Sequence, residues 1–260
     1  GAVHLLRGGS ANDTKRIEIM SHYFGDYHIH SALSPCADND MTPANIIGMA
    51  AIKALDMISI TDHNSAANLP ALKTNADESR ITLIPGIEIN SKEEVHILAY
   101  FPDVTGCISY GNYLYQLLPD IPNDEQFFGQ QLVFNDRDEI IGKAEKLLIN
   151  SVPLSVEQII ADIADCKGAT IFAHIDKKHN SILSSLGFIP LHLPIHTVEI
   201  STNTDPNCFL QNNHLMQYQY LQSSDAHMLQ DIRERVFALP LEEKTVACFL
   251  DYIRQNHSAV

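Results

Sequence analysis

Residues 23–64 read YFGDYHIHSALSPCADNDMTPANIIGMAAIKALDMISITDHN, and the order of apolar runs and polar ends in them decides the fold. Tyr23–His30, with Tyr23, Phe24, Tyr27 and Ile29, reads as a strand ending on His28 and His30. Thr42-Pro43 then supplies an N-cap with proline at the first helical position. Ile46, Ile47, Ala50 and Ala54 follow at helical spacing. Asp56–Thr61 is a buried strand that runs into the polar Asp62-His63-Asn64-Ser65. A strand, a helix and a second strand in this order form a unit that pairs its strands in parallel.

The same alternation extends outward. Ile81–Asn90, interrupted by Pro85-Gly86, and Val95–Phe101 read as strands. Val156–Cys166 is helical with Gly168 as a stop signal, and Ala169–Ile175, Val198–Ser201 and Leu221–Ser224 are further strands. Repeated strand-helix alternation predicts an α/β architecture closed into a barrel. Residues 102–153 break the rhythm with Tyr110, Tyr113, Tyr115, Phe127 and Phe128, then with LVFNDRDEIIG, whose Asn135–Asp138 reads as a hairpin turn. This stretch is either a loop excursion packed on the barrel or an inserted subdomain over the active site. Gly1–Ile19 is read as a leader with Met20 as the native start, and residues 20–260 as one domain.

Composition narrows the function classes. Hydrophobic residues make up 45% and charged residues 19%, a globular balance. No apolar run approaches the roughly 20 residues of a membrane span, so no membrane partner is expected. Cys36, Cys107, Cys166, Cys208 and Cys248 are scattered, odd in number and without CxxC spacing, which fits a reducing cytoplasm. A formal charge of −15 argues against an extended nucleic-acid surface. Bound divalent ions would nevertheless invert the field at one spot and let an acidic protein hold a phosphate.

The chemistry-bearing residues sit at the ends of the predicted strands. His28 and His30 are two apart, so both imidazoles point to one side of a strand, where one metal can take both. Asp62 and His63 end ISITDH, Glu88 lies in PGIEIN, His96 in EEVHILAY, and His174 in TIFAHID, while Asp225 and His227 follow a strand in SSDAH. Each has an ordinary reading, Asp62 as a helix cap or His96 as a core histidine. Metal-type ligands at successive strand ends are what barrel active sites are built from. His179, His192, His196 and His214 are read as surface or loop residues.

The ordered motifs HIH at 28–30, TDHN at 61–64, Glu88, His96, His174 and DAH at 225–227 resemble the PHP (polymerase and histidinol phosphatase) domain family. The resemblance covers most of Tyr23–Asp231 and implies a distorted seven-stranded barrel with two or three divalent transition metals, zinc, manganese or iron. It implies one metal on His28, His30, Glu88 and Asp225, with Glu88 bridging to a second held by His96 and His174. A third would use His63 and His227 plus one residue after the first motif. Asp38 is chosen there against Thr42-Pro43, with Cys36 as the rival. Asp62 then orients an imidazole from behind the ligands.

The expected activity is hydrolysis of a phosphate ester, with metal-bound hydroxide as the attacking group and His28, His30, Glu88, Asp225 and His227 as its catalytic set. The expected substrate is a small phosphomonoester or a nucleotide-derived molecule. Lys177, just after His174, and more weakly Arg233, after the DAH motif, are candidate phosphate binders. Two rival functions keep the ligands but change the role: a catalytically silent metal-binding regulatory domain, and a metal-dependent hydrolase of a non-phosphate substrate. Metal analysis with a screen of phosphorylated substrates separates the three.

Overall fold

The computed structural model describes residues 20–255, so the reading of Gly1–Ile19 as a leader lies outside the described residues. The chain opens with β1 (Ser21–Ile29) and α1 (Pro43–Ile52). The Thr42 hydroxyl accepts the Asn45 N–H at the start of α1, the cap that Thr-Pro predicts. β2 (Met57–Ile60), α2 (Leu69–Glu78), β3 (Thr82–Asn90) and β4 (His96–Tyr100) follow. Next come α3 (Val104–Leu117), α4 (Glu125–Phe128), and the short β5 (Leu132–Phe134) and β6 (Ile140–Lys143). The last part holds α5 (Val156–Asp165), β7 (Ala169–Phe172), α6 (Ile182–Leu186), β8 (Thr197–Glu199) and α7 (Pro206–Asn212). It ends with β9 (Gln219–Leu221), a 3-10 turn at Leu229–Asp231, β10 (Ala238–Leu241) and α8 (Val246–Arg254).

Eight strands form one sheet in the order β10-β1-β2-β3-β4-β7-β8-β9. The expectation of seven strands is corrected by β10, which adds antiparallel to the outer side of β1. The sheet curls back on itself, because Ala226, past β9, bridges to Ile29 at the end of β1. His30 N–H donates to the Ala226 carbonyl at 2.9 Å. Parallel pairing holds for β1-β2, β2-β3, β7-β8 and β8-β9, but β3-β4 and β4-β7 are antiparallel. The physical reason is the linker. Ser91–Val95 is too short for a helical crossover, so β3 and β4 form a hairpin, with Glu94 in the left-handed region (φ 59°).

That hairpin brings the first residue of β4 to the working edge, since Asn90 pairs with His96. Gly86 allows the β2-β3 approach there; a Cβ on it would lie 2.7 Å from Ser59 Oγ and 2.7 Å from Thr61 Cγ2. One apolar core lies between the sheet and α1, α2 and α5. A second joins Tyr27, Met57, Ile84, Leu98 and Ile171 to Phe249 and Ile253 of α8. α8 docks on the starts of β8 and β9, where Thr197 Oγ1 and Gln219 Nε2 each donate to α8 carbonyls at 2.8 Å. The plug therefore sits away from the strand C-termini.

Residues 102–153 hold α3, α4 and the β5-β6 pair, a two-stranded sheet of its own with its turn at Asn135–Glu139. They pack on the loops leaving β1 and β2. Leu132 N–H donates to the Ala32 carbonyl at 2.7 Å, and Asn68 bonds Leu132 and Phe134 on either side. Asn64, next to His63, donates to the Leu148 carbonyl at 2.7 Å. This segment thus buttresses the loops that carry the candidate ligands.

Candidate metal centre

β1 delivers His28 and His30, both fully buried, to the working end of the sheet. Each ring is held by an acceptor behind it. The Glu199 carboxylate accepts from His28 Nδ1 at 2.9 and 3.1 Å and from the His174 N–H at 2.9 Å. A carboxylate only accepts, so His28 carries a proton on Nδ1 and turns Nε2 toward the cluster. His30 is set by a longer relay. Asp62 accepts from the Ser34 hydroxyl at 2.7 Å and from Ser31 N–H and Oγ at 2.7 and 2.6 Å. With its own proton committed to Asp62, Ser34 Oγ accepts from His30 Nδ1 at 3.0 Å and from the His63 N–H at 3.2 Å. Asp62 therefore acts on the cluster through Ser34, and its oxygens face serines.

The carboxylate of Glu88 is the centre of the cluster. Its Oε1 lies 2.8 Å from His96 Nδ1, 3.2 Å from His174 Nε2 and 3.4 Å from His28 Nε2. Its Oε2 lies 3.0 Å from His63 Nδ1 and 3.3 Å from His30 Nε2. Each oxygen thus has its own set of imidazoles, the arrangement of a carboxylate placed to bridge two cations. Asp225 Oδ1 stands 3.2 Å from Nε2 of both His28 and His30. Three groups have ligand atoms within 4.8 Å of one another: His28, His30 and Asp225; His63, Glu88 and His96; His30, His63 and His227. His174 and Asp225 occupy the left-handed region, at φ 28° and 53°. Non-glycine residues held so cost about 1–3 kcal/mol each and cluster at functional sites.

The electrostatics call for positive charge inside the cluster. Burial works to raise the Glu88 pKa, but His96, His28 and His63 outweigh it and hold the carboxyl well below its usual range. Asp225 behaves alike: burial is opposed and overcome by His28 and His30. Burial depresses His30 and His63, yet the carboxylates push both up to about 9, with Cys36 adding to His63. Buried carboxylates that attract protons onto this many rings are equally disposed to attract cations. Nδ1 of His63, His96 and His174 are buried without an aligned hydrogen-bond partner. Lone pairs left over in a dry nitrogen and carboxylate pocket fit divalent transition ions, and would poorly suit magnesium or calcium.

The sequence-predicted residues divide cleanly. His28, His30, His63, Glu88, His96, His174, Asp225 and His227 meet in one cluster. Asp38 does not join them: its side chain accepts the Asp40 N–H at 3.0 Å on the surface. Cys36, its rival, is exposed and belongs to none of the three ligand groups. Lys177 is at the mouth, where Nζ pairs with Asp225 Oδ2. Arg233 is not brought to the cluster: its guanidinium donates to Gln222 and lies 5.3 Å from the Phe237 ring. Glu199 was missed, because a glutamate within a short apolar strand carries no local sign of a partner 171 residues away. Asp26 was missed too; it accepts from Ser224 N–H and Oγ at 2.9 and 2.6 Å, anchoring the turn that carries Asp225. A cleft of about 330 Å³ opens beside the cluster, between Lys177, Ser201–Asn203 and Asp225.

The protein matches known proteins in both sequence and structure. A stretch of 102 residues, 37% of the chain, is 31% identical to the 5'-3' exoribonuclease Rnm of Salmonella typhimurium and covers 32% of it. The lesion-specific endonuclease Q of Pyrococcus furiosus superposes with a TM-score of 0.63 at 16% identity, over 90% of this chain and 56% of that one. An endonuclease Q complex with a 27-mer duplex bearing an abasic lesion at its active site superposes at 0.60, with 16% identity, over 90% and 57%. The chain thus spans about a third of the length of the curated relative and little more than half of these structures. The expectation of a small phosphorylated substrate and no nucleic-acid surface is corrected by these relatives, an exoribonuclease and an endonuclease held on DNA. The clustering of distant ligands accounts for it: a few cations at one cleft do locally what a basic stripe does broadly. No helix among the described residues is long and apolar enough to cross a membrane. The model of the PHP domain matches residues 26–186, which carry six of the eight clustered ligands, and the chain belongs to the PHP domain family.

Proposed function

We propose that this chain, a metal-dependent hydrolase of phosphate esters, cleaves phosphodiester bonds of a nucleic-acid strand at the Glu88 cluster. The observation that carries the chemistry is Glu88 itself, with separate imidazole sets facing its two oxygens. The strand substrate is supported by the nuclease relatives. Zinc, manganese or iron, when bound, would supply Lewis acidity at the phosphoryl oxygens and lower the pKa of water toward ~7.

The chain's own residues do the positioning. Glu88, Asp225, His28 and His30 would hold ions at the centre of the cluster, with His96 and His174, which face Oε1 of Glu88, as further ligands. Glu199 and the Asp62–Ser34 relay hold the Nδ1 sides of His28 and His30 from behind and turn each Nε2 toward the centre, where an ion would displace any proton on it. Lys177, whose ammonium is paired with Asp225, stands where a phosphate entering the cleft would share it. Thr202 and Asn203 line the cleft wall, where they would donate to sugar or phosphate oxygens. A chain of charge −15 can grip only the few phosphates near this spot, so binding should be less sensitive to salt than that of a basic-groove protein.

The test uses metal-loaded protein with end-labelled single-stranded RNA, single-stranded DNA, and duplex DNA carrying an abasic site. Shortening of at least one strand is expected, and it should disappear in Glu88→Gln and Asp225→Asn proteins that remain folded. Full metal occupancy with every strand intact overturns the substrate assignment.

A further inference from the structure

Residues 201–204 follow β8 and form one wall of the cleft beside the cluster. Two side chains clamp them. Asp176 accepts from Ser201 N–H and Oγ at 2.9 and 3.0 Å and from Thr204 Oγ1 at 2.6 Å. Gln222 Nε2 donates to the Ser201 and Thr204 carbonyls at 3.1 and 3.0 Å. The orientation of that amide is fixed, because Arg233 donates to its Oε1 at 3.3 Å. The clamp takes the two ends of the loop. Its middle side chains, Thr202 and Asn203, are exposed to the cleft and make no hydrogen bond among the described residues. Ser223, next to Gln222, lines the same cleft; it is 2% exposed, and its buried hydroxyl has no hydrogen-bond partner. The neighbouring Ser224 hydroxyl, by contrast, donates to Asp26 at 2.6 Å. A buried hydroxyl left unpaired in the wall of a site is costly to keep and calls for a ligand atom that satisfies it.

We propose that Ser223, Thr202 and Asn203 form a subsite for a ribose 2′-hydroxyl of the strand, so that the substrate is RNA rather than DNA. Charge divides the cleft. Lys177 and the ions that the cluster would hold make the side that takes phosphate. The wall at 201–204 carries no cation, since Arg233 is turned to Gln222 and Phe237, and the Asp176 carboxylate stands directly behind it. A phosphate on that wall would be repelled by the carboxylate, whereas a neutral hydroxyl is not. A 2′-hydroxyl both donates and accepts, and it is the group that distinguishes RNA from DNA. The donor set matches it: the Ser223 and Thr202 hydroxyls take either role, and the Asn203 amide presents one of each. Clamping from behind by Asp176 and Gln222 supplies the rigidity that such recognition needs. This inference rests on the proposed cleavage of a nucleic-acid strand and specifies the sugar within it.

The metal-loaded full chain is given matched single strands of RNA, of DNA, and of DNA with one ribonucleotide at successive positions, and kcat/KM is measured for each. RNA should be preferred to DNA by about tenfold or more. One ribonucleotide, at a single position relative to the cut, should restore most of that preference. Ser223→Ala and Asn203→Ala should each lower the RNA-to-DNA ratio by about three- to tenfold, with metal content unchanged. Gln222→Ala, which frees one side of the wall, should lower the same ratio through Asn203. A role in folding alone would slow RNA and DNA equally and leave the ratio as it was. Because the Ser223 hydroxyl has no partner in the fold, Ser223→Ala should melt no lower than wild type. Equal cleavage of RNA and DNA by wild type would overturn the ribose subsite and leave the cleavage of strands standing. A ratio unchanged in both Ser223→Ala and Asn203→Ala would overturn it too. If no strand is cut at full metal occupancy, the subsite and the cleavage of strands fall together.

Discussion

Replacing Glu199 by Gln changes one atom, and the structure says what that atom costs. The carboxylate accepts from two partners with opposite demands on an amide, His28 Nδ1 and the His174 N–H. A glutamine has one accepting and one donating end. With the oxygen toward His174, the NH₂ group faces His28 Nδ1 and drives the ring proton to Nε2, removing the lone pair aimed at Glu88 and Asp225. With the amide flipped, the buried His174 N–H meets a donor and is left unpaired, a penalty of about 1–3 kcal/mol. Either way, the expected loss in metal affinity is ten- to a hundredfold, or about 1.4–2.7 kcal/mol, as for other carboxylates behind a metal-bound histidine. The assay is chelator competition on the metal-loaded protein, with the His28 tautomer read from ¹⁵N chemical shifts of its ring. Affinity within twofold of wild type, with the Nδ1–H tautomer retained, would refute the reasoning.

Three further outcomes are expected. Purified protein should carry two or three transition metals per chain, and loading at about 100 times Kd should stabilise it by ~2.7 kcal/mol; thermal melts with and without chelator check this, and coincident melts would sink it. Lys177→Ala should lower kcat/KM by about ten- to a hundredfold, or ~1.4–2.7 kcal/mol, with metal content unchanged, while Lys178→Ala is silent; the reverse pattern would show that the other lysine faces the substrate. Gly86→Val should destabilise the protein by about 1–3 kcal/mol in urea melts, because its first carbon already meets Ser59 and Thr61 at 2.7 Å; an unchanged midpoint would mean that β2 and β3 can part without cost.

The sequence by itself singled out eight residues that the fold brings into one cluster. HIH and DAH place two side chains on one side of an extended segment, and such pairing needs only local geometry. The Thr42-Pro43 cap of α1 and the Ser155 capping box of α5 were legible for the same reason, since their partners lie three residues away. Strand ends were less legible. The strand expected at Ala169–Ile175 stops at Phe172, and the one expected at Leu221–Ser224 lies earlier, at Gln219–Leu221. In both places the chain leaves the ladder to turn His174 and Asp225 inward at positive φ, a strain that only the surrounding structure sustains. The eighth strand, β10, pairs with β1 across more than 200 residues, and no spacing rule reports on a contact of that length.

What only the tertiary structure decided are the groups that act through others. The Ser31–Met41 loop has no periodicity, so nothing local tells Cys36 from Asp38. The backbone of Asp38 is placed by a hydrogen bond to the His227 carbonyl, between residues 189 positions apart, and its carboxylate by the Asp40 N–H. Glu199 and Asp26 look in sequence like polar interruptions of apolar strands, and they gain their roles only when the curled sheet sets them behind His28 and beside Ser224. A ligand is recognisable by its own chemistry, whereas the residue that orients it is defined by its neighbour, and neighbours 171 or 198 residues away exist only after folding.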